Sequence, residues 1–584
     1  MSEAAASMYP VLRTAADLRL HVAALLEGSG DRVLLRVQPV RSEHGIVEFT
    51  GPDFMRQSIA LANRFSQAPA GGVVLLLMPH CPELFLLHLG LVLTGRIPAI
   101  LAWPTNRVDP AKYQRNLLHQ LVNLPAAELL TLPHLAGNLG PCLAYPVHAC
   151  EIPGSEQLES QFAERVHLEP PPPKPAGHIE SPDDAVFLQF SGGTTGAQKC
   201  VVVTAAMLSA QMRRLGEHVQ FTSEDVVVSW LPMYHDMGLI ACLWFPLWHG
   251  AASLQFAASD WLLEPDLLFR HIERYRGTFC WLPNFAFSYM AGQQERMTGT
   301  SRLDTMRGWV NCSEPVRSKS LDSFLAAFAG WGVRPHSLQA SYAMAENVFA
   351  VTHTTMGEEM ATFARRGLQS SNGELSTQFQ VADSQYVSSG RALAGMEFRI
   401  RRADGAPCED AEPGGIELKT ECLFGGYWGN DGFQTQSLAQ DGWYSTGDFG
   451  FQVNGELFVI GRTKDIVIVG GNNVFPEDIE AAVNTLPAVY TGRVVAFGVQ
   501  DAEQGTEALA VVAEMRGEWA KASASALEKE IRSLVLSNIG IAPRYVRAVP
   551  ERWIVKSTAG KISRRETRVR FESEFLTPPQ EAVR

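Results

Sequence analysis

The chain has 584 residues, 46% of them hydrophobic and 19% charged, an ordinary globular composition in a chain too long for a single core. Its formal net charge is −13, which argues against the concentrated Lys/Arg surface that nucleic-acid binding requires. Cysteines occur singly at 81, 142, 150, 200, 242, 280, 312, 408 and 422 with no CxxC pair, and MSEAAASMYPVLRTAADL has no basic stretch followed by an apolar leader. Buried thiols in a reducing, cytoplasmic setting are therefore expected.

In chain order, GGVVLLLMP (71–79) predicts a buried strand, LFLLHLGLVL (84–93) a helix apolar on nearly every face, and RIPAILAWP a second buried strand. Strand, helix, strand at this spacing predicts a βαβ unit and a parallel sheet. EPPPPKPAGHIESPDD (169–184) is an extended connector, with a proline-rich ligand as the functional alternative to a plain spacer. It leads into the strand VFLQF. MGLIACLWFPLWHGAASLQFAA (237–258) is nearly as apolar as a membrane span, but Pro246, His249 and two glycines interrupt it. A buried helix–turn–strand is predicted there, and no membrane span. Residues 355–386 are polar and weakly periodic, which suggests a surface insertion. MEFRIRRADGAP, GGIELKT and GELFVIGR form a β-rich region. RVVAFGVQD, EALAVVAEM and the amphipathic SALEKEIRSLVLSNIG predict a small α+β domain at the end.

LQFSGGTTGAQKCVVVT (188–204) puts a glycine- and threonine-rich turn and one lysine between two strands. Glycines let the backbone approach an anion, threonine hydroxyls donate to it, and Lys199 adds a cation. The Walker pattern fails, because Gln198 rather than glycine precedes Lys199 and Cys200 follows it; GxGxxG fails too. Alone, the turn reads equally well as a surface hairpin. Six further stretches follow it in order: LPMYHDMGLI (231–240), VNCSEPV (310–316), SYAMAENVFAVT (341–352), YSTGDFG (444–450), VIGRTKDIVIVGGNNVFPEDIE (459–480) and VKSTAGKISRRE (555–566).

Taken together, from about residue 50 to about 570, the series resembles the adenylate-forming (acyl-activating) superfamily. Within it the chain is most similar to the fatty acyl-AMP ligases, through WLPMYHDMGLI, the Glu-Pro-Val of NCSEPV and the polar insertion. The resemblance implies an α/β fold: a large N-terminal domain (1–461) of α/β subdomains with a β-rich subdomain, and a small mobile α+β C-terminal domain (462–584). It also implies that an insertion at 355–386 holds the small domain away from a CoA-competent pose. The implied reaction is attack of a carboxylate on the α-phosphorus of ATP, giving acyl-AMP and pyrophosphate. Both reactants are anions, so charge must be neutralised and the pair held in line.

By the same resemblance, Ser191, Gly192, Gly193, Thr194, Thr195, Gly196 and Lys199 would cradle the β- and γ-phosphates. The family's usual Pro-Lys-Gly is Gln198-Lys199-Cys200 here, which costs turn rigidity and not the donors. Glu346 would coordinate Mg²⁺, a cation suited to hard oxygen ligands; the simpler alternative is a solvated carboxylate. Tyr342, within Ser341-Tyr342-Ala343-Met344, would stack on adenine, and backbone around Ser313, Glu314 and Pro315 would meet its edge. Asp448 would bind both ribose hydroxyls, with an Asp turn as the alternative. Arg462 would contact ribose or phosphate, and Lys464 would be the hinge. Lys561 would bind the attacking carboxylate and an α-phosphate oxygen, with Lys556 as its nearby decoy. His235 would line the substrate channel. Asp236 there does not by itself imply an amino-acid substrate, and a structural His and strand-end Asp remain the alternative.

Trp230, Met233, Met237 and Phe285, with Leu231, Leu239, Trp281, Phe287 and Met290, would line an apolar acyl tunnel or simply form core. The acceptor implied is the phosphopantetheine thiol of an acyl carrier protein. Lys561, Arg564, Arg565, Arg568 and Arg570 offer a basic dock for an acidic carrier, with a solvated helix face as the alternative. Rival functions are an acyl-CoA ligase, an amino-acid adenylation enzyme and a non-catalytic nucleotide-binding homologue.

Overall fold

A computed structural model of the chain describes residues 12–40, 45–104, 110–124, 126–139, 143, 145–151, 185–191, 199–297, 301–365, 384–429, 432–435, 441–469, 472–501, 506–517, 524–556 and 561–576. The connector at 169–184 and Cys142 lie outside them. Seven of the eight described cysteines are buried and free; Cys408 is partly exposed.

The all-apolar strand Val73–Leu77 pairs in parallel with Ile97–Ile100, and the helix Pro82–Leu93 crosses between them. That helix is buried on every side, which is why its sequence lacks a polar face. His88, inside it, accepts a hydrogen bond from Trp244 Nε1 at 3.0 Å, and burial lowers its pKa to about 3. Ala185–Phe190 continues this sheet beside Ile97–Ile100 and pairs antiparallel with Cys200–Thr204. The glycine-rich turn therefore joins two adjacent buried strands. Gly426–Gly429 adds to the same sheet and sets Tyr427 opposite Val201.

The second sheet has a parallel centre, Phe279–Leu282, Gly308–Cys312 and Leu338–Ala343. NCSEPV and SYAMAE thus leave the carboxyl ends of neighbouring strands, where open α/β sheets place their ligands. Met237–Trp244, Phe245–Trp248 and Ala252–Gln255 give the buried helix–turn–strand expected for 237–258. Among the described residues, no helix is long and apolar enough to cross a membrane. Tyr444–Val453 and Glu456–Arg462 form a hairpin whose turn residues Asn454 and Gly455 have φ of 52° and 79°, the conformation that Asn-Gly favours. Its register faces Asp448 with Arg462.

Val489–Asp501, Thr506–Met515 and Tyr545–Val549 make a three-stranded sheet near the C-terminus. Leu527, Ile531, Val535 and Ile539 of helix Ala524–Ile539, spaced four apart, bury one face against it. The apolar clusters of this part draw only on residues from Val467 onward. Phe475 packs back toward the larger part, stacked on Phe449 at 5.6 Å between centroids.

The described ends of the polar insertion are paired. Thr362–Arg365 and Ser384–Val387 pair as an antiparallel ribbon, and Phe363 packs on Phe451 and Phe458. Tyr386 donates its hydroxyl to Asp478 Oδ2 at 3.5 Å, and Arg317 lies 3.7 Å from Asp478 Oδ1. Residues 366–383 lie outside the described residues.

At the same seam Arg564 meets Asp465 (2.6 Å), Glu480 (2.8 Å) and Glu477 (3.1 Å). A Cβ on Gly461 would fall 2.8 Å from the Glu477 carboxyl, so that glycine permits the approach. One guanidinium cannot neutralise three part-buried carboxylates. Burial pushes the Glu477 carboxyl from 4.5 to about 7, against Arg564 and with help from Glu480. In the folded state Glu477 thus keeps its proton where the unfolded chain releases it. Its contribution is complete below about pH 4.5 and is lost as pH rises to about 7. Glu477→Gln is expected to remove this fall, of order 3 kcal/mol, and so to narrow the difference in Tm between pH 5 and pH 8. An unchanged difference would show that Glu477 is already ionised at pH 5.

Candidate active site

One cleft of about 2710 Å³ runs along the seam and is lined by residues of both parts. It is larger than a single ligand pocket of roughly 300–1,000 Å³, because it continues between the parts.

Near the glycine-rich turn, Ser191 lines the cleft, and its N–H donates to Lys199 O at 2.8 Å, closing the base of that turn. Gly192, Gly193, Thr194, Thr195 and Gly196 lie outside the described residues. Lys199 is exposed, with Nζ 4.4 Å from the ring centroid of Tyr427. Tyr427 donates its hydroxyl to Glu346 Oε1 at 2.8 Å, and its hydroxyl also lies 3.4 Å from that of Tyr444. Glu346 sits on a short turn at the cleft. Burial raises its carboxyl above the ordinary range, and the Tyr427 hydrogen bond opposes this. Two carbonyls of that turn, Ala345 and Val348, each accept from Gln189 Nε2 at 3.0 Å.

Tyr342 donates its hydroxyl to Asp448 Oδ2 at 2.6 Å, and Arg462 Nε lies 3.0 Å from Asp448 Oδ1. The Asp448 charge and, more weakly, the Tyr342 oxygen raise the Arg462 guanidinium against burial. A carboxylate has about four lone-pair sites, so Asp448 keeps acceptor capacity after both contacts. Ser341, Ala343 and Met344 line the cleft beside Tyr342. Ser313 also lines the cleft and has a left-handed backbone with φ 72°. Pro315 also lines the cleft, as does Glu314, whose Oε2 accepts from Phe285 N–H at 3.1 Å, within the first turn of helix Asn284–Gln293. The Glu314 side chain is thus occupied structurally.

Elsewhere along the cleft, His235 Nδ1 is 2.6 Å from Asp236 Oδ1, which also accepts from Met237 N–H at 2.8 Å. Burial would raise the Asp236 carboxyl, but the charge and hydrogen bond of His235, the charge of Lys561 and the Met237 N–H hold it below its ordinary value. Lys561 lines the same cleft, and its charge also reaches the buried thiol of Cys312. An antiparallel bridge between Lys556 and Ile562 presents it. Lys556 lines the cleft as well; the sequence could not separate the two, and Lys561 is the one whose field acts on Asp236.

Trp230, Met233 and Phe285 line the apolar side. Trp230 stacks on Trp261 at 4.1 Å with 6° between planes, and Phe285 stands edge-on to both. Met237 is a correction: it is buried at the start of the Met237–Trp244 helix, under Ser313, and does not line the cleft. Leu231, Leu239, Trp281, Phe287 and Met290 are core. Lys464 is exposed at the crossing between the two parts. Burial and the charges of Arg462 and Lys199 lower its pKa.

The basic run is a second correction. Arg564 is turned inward onto its three carboxylates, Lys561 faces the cleft, and Arg568 and Arg570 pair with Glu572 and Glu574, 2.8 and 2.7 Å away. The helix Arg564–Phe571 does not present a uniform cationic face, because its pattern places acids four residues after two of the arginines. Sequence reasoning missed Gln189, Arg317, Tyr427 and Tyr444. The only local signal for Tyr427 was an aromatic residue inside GGYWG.

Residues 27–428 match the family described as AMP-binding enzyme. The chain belongs to that family. As an adenylate-forming ligase, it is 25% identical over 605 residues to the long-chain-fatty-acid AMP ligase FadD32 of Mycolicibacterium smegmatis, covering 94% of this chain and 93% of that one. It is 29% identical over 413 residues to the medium-chain-fatty-acid acyl-carrier-protein ligase JamA of Moorena producens, covering 67% and 68%. A solved chain from work on fatty acyl-adenylate ligases of E. coli and L. pneumophila superposes with a TM-score of 0.77 over 95% of this chain and 98% of that one, at 20% identity. The α/β architecture expected from the sequence is therefore the family's fold.

Proposed function

We propose that this ligase activates a fatty acid with ATP to acyl-AMP and passes the acyl group to the phosphopantetheine thiol of an acyl carrier protein. The observation that carries the proposal is the meeting of Lys561, from the C-terminal part, with Asp236, Glu346 and Asp448 in one cleft. In the first step a carboxylate oxygen bonds to the α-phosphorus and pyrophosphate leaves. In the second, the thiol bonds to the acyl carbon, loses its proton, and AMP leaves.

Lys561 would hold the attacking carboxylate against the α-phosphate, and Asp448 with Arg462 would hold the ribose. Tyr342 would lie against adenine along the 313–315 backbone, and Lys199 and Ser191 would meet the outer phosphates. Among the described residues no cluster of three or more His, Cys, Asp or Glu could hold a metal. Glu346 offers a part-buried carboxylate that, unlike Asp448, is not paired with an arginine. That donor set fits Mg²⁺ entering with ATP, bound mainly through phosphate oxygens and water. The ion would supply charge neutralisation on the phosphates.

The apolar wall of Trp230, Met233, Trp261 and Phe285 suits a hydrocarbon tail, and the names of FadD32 and JamA support a fatty acid. Asp236 is already engaged by His235 and a backbone N–H and lies in the field of Lys561, which disfavours a role in binding a substrate ammonium. JamA's name and the ribbon anchored on Asp478 support a carrier thiol over CoA. The small part would turn about Lys464 between the two steps, with 1–461 and 462–584 as the moving units. The test offers saturated acids of graded length with ATP, then CoA or a holo carrier protein. Adenylate with fatty acids and thioester on the carrier alone is expected. Equal thioester on CoA would make the enzyme an acyl-CoA ligase, and pyrophosphate exchange with amino acids alone would refute the fatty-acid substrate.

A further inference from the structure

We propose that Tyr427 is a positioning residue that keeps Lys199 and Glu346 apart and ready, one for phosphate and the other for the metal that accompanies it. The inference rests on the ATP-dependent function proposed above.

Tyr427 touches both groups at once. Its ring carries the Lys199 ammonium, with Nζ 4.4 Å from the centroid, and its hydroxyl donates to Glu346 Oε1 at 2.8 Å. The ring is fixed from three directions. Tyr427 pairs with Val201, two residues beyond Lys199, so the strand that bears the lysine also sets the tyrosine. Phe424 packs against the ring at 4.7 Å, and Phe424 N–H donates to Glu346 O at 2.8 Å, tying the Gly426–Gly429 segment to the glutamate's own backbone. Tyr444, four residues before Asp448, lies 3.4 Å from the Tyr427 hydroxyl.

A lysine and a part-buried glutamate at one site tend to form a direct ion pair, which would neutralise each and occupy both. The aromatic ring between them prevents this. The ammonium rests on a π face, a weaker hold than a carboxylate, and is readily given up to a triphosphate. The hydroxyl satisfies one oxygen of Glu346 and leaves the other for a cation. Since both contacts belong to one rigid side chain, phosphate capture by Lys199 and metal binding at Glu346 are coupled, and the coupling is reciprocal.

The experiment measures binding of α,β-methylene-ATP to the full chain by calorimetry, with and without MgCl₂, in wild type, Tyr427→Phe and Tyr427→Leu. Wild type is expected to bind the analogue more tightly with Mg²⁺. Tyr427→Phe keeps the ring beneath Lys199 and removes only the donor, so it should bind as wild type without Mg²⁺ and lose roughly tenfold of the Mg²⁺-dependent gain. Tyr427→Leu should also weaken Mg²⁺-free binding, as Lys199 falls onto Glu346, and adding Lys199→Met to it should cost little more. A full Mg²⁺-dependent gain in Tyr427→Phe overturns the inference alone. No binding by wild type under either condition overturns the adenylating function and this inference with it.

Discussion

Lys561→Met is expected to slow acyl-adenylate formation by about 10²–10³-fold, the cost of removing one donor aimed at developing negative charge. Two anions must approach within bonding distance, and their repulsion is greatest in a site shielded from water. The three cations assigned to the reaction have different surroundings. Lys199 rests on Tyr427, and Arg462 is paired with Asp448. Lys561 enters from the other part of the chain, close enough to lower the Asp236 carboxyl. Methionine keeps most of the side chain's length and removes its charge. ATP affinity should change little, because the proposed function assigns adenosine and the outer phosphates to other residues. Single-turnover formation of acyl-AMP separates the two effects. Lys556→Met, from the same hairpin, is the control and should leave the rate near wild type; the opposite ranking would mean that the wrong lysine has been assigned.

Asp448→Asn should raise KM for ATP roughly 10–100-fold, the loss of one charge-assisted hydrogen bond at about 1.5–3 kcal/mol. Asp448 lies across the hairpin from Arg462 and accepts from Tyr342, so in the proposed function one carboxylate would order the ribose, phosphate and adenine contacts together. Asparagine keeps the shape and one acceptor oxygen while removing the charge that holds Arg462. The change should therefore appear in ATP binding more than in kcat, whereas an effect confined to kcat would place Asp448 outside ribose binding. Titration with ATP at saturating fatty acid makes that distinction.

Much of this arrangement was legible in the sequence where chemistry and local pattern coincide. TGD and GR sit on consecutive strands joined by Asn-Gly, so their pairing follows from alternation and turn type. The βαβ unit around Pro82–Leu93 was legible because a helix without a polar face must be buried. Other features depend on contacts between distant segments. Arg564 looked like surface charge until Asp465, Glu477 and Glu480 came to it from across 84–99 residues of chain. Met237 and Met233 look alike in LPMYHDMGLI, yet one packs under Ser313 and the other faces the cleft. Tyr427 carried no chemical motif of its own, and its significance comes from a strand that places it between a lysine 228 positions earlier and a glutamate 81 positions earlier.

Oxygen-18 placed in the fatty acid's carboxyl group tests the central claim most directly. If that carboxylate attacks the α-phosphorus, the bond broken on acyl transfer leaves one labelled oxygen in AMP, and mass spectrometry should find it there with unlabelled pyrophosphate. Label in orthophosphate with ADP as co-product, or AMP without label, would contradict adenylation in this cleft.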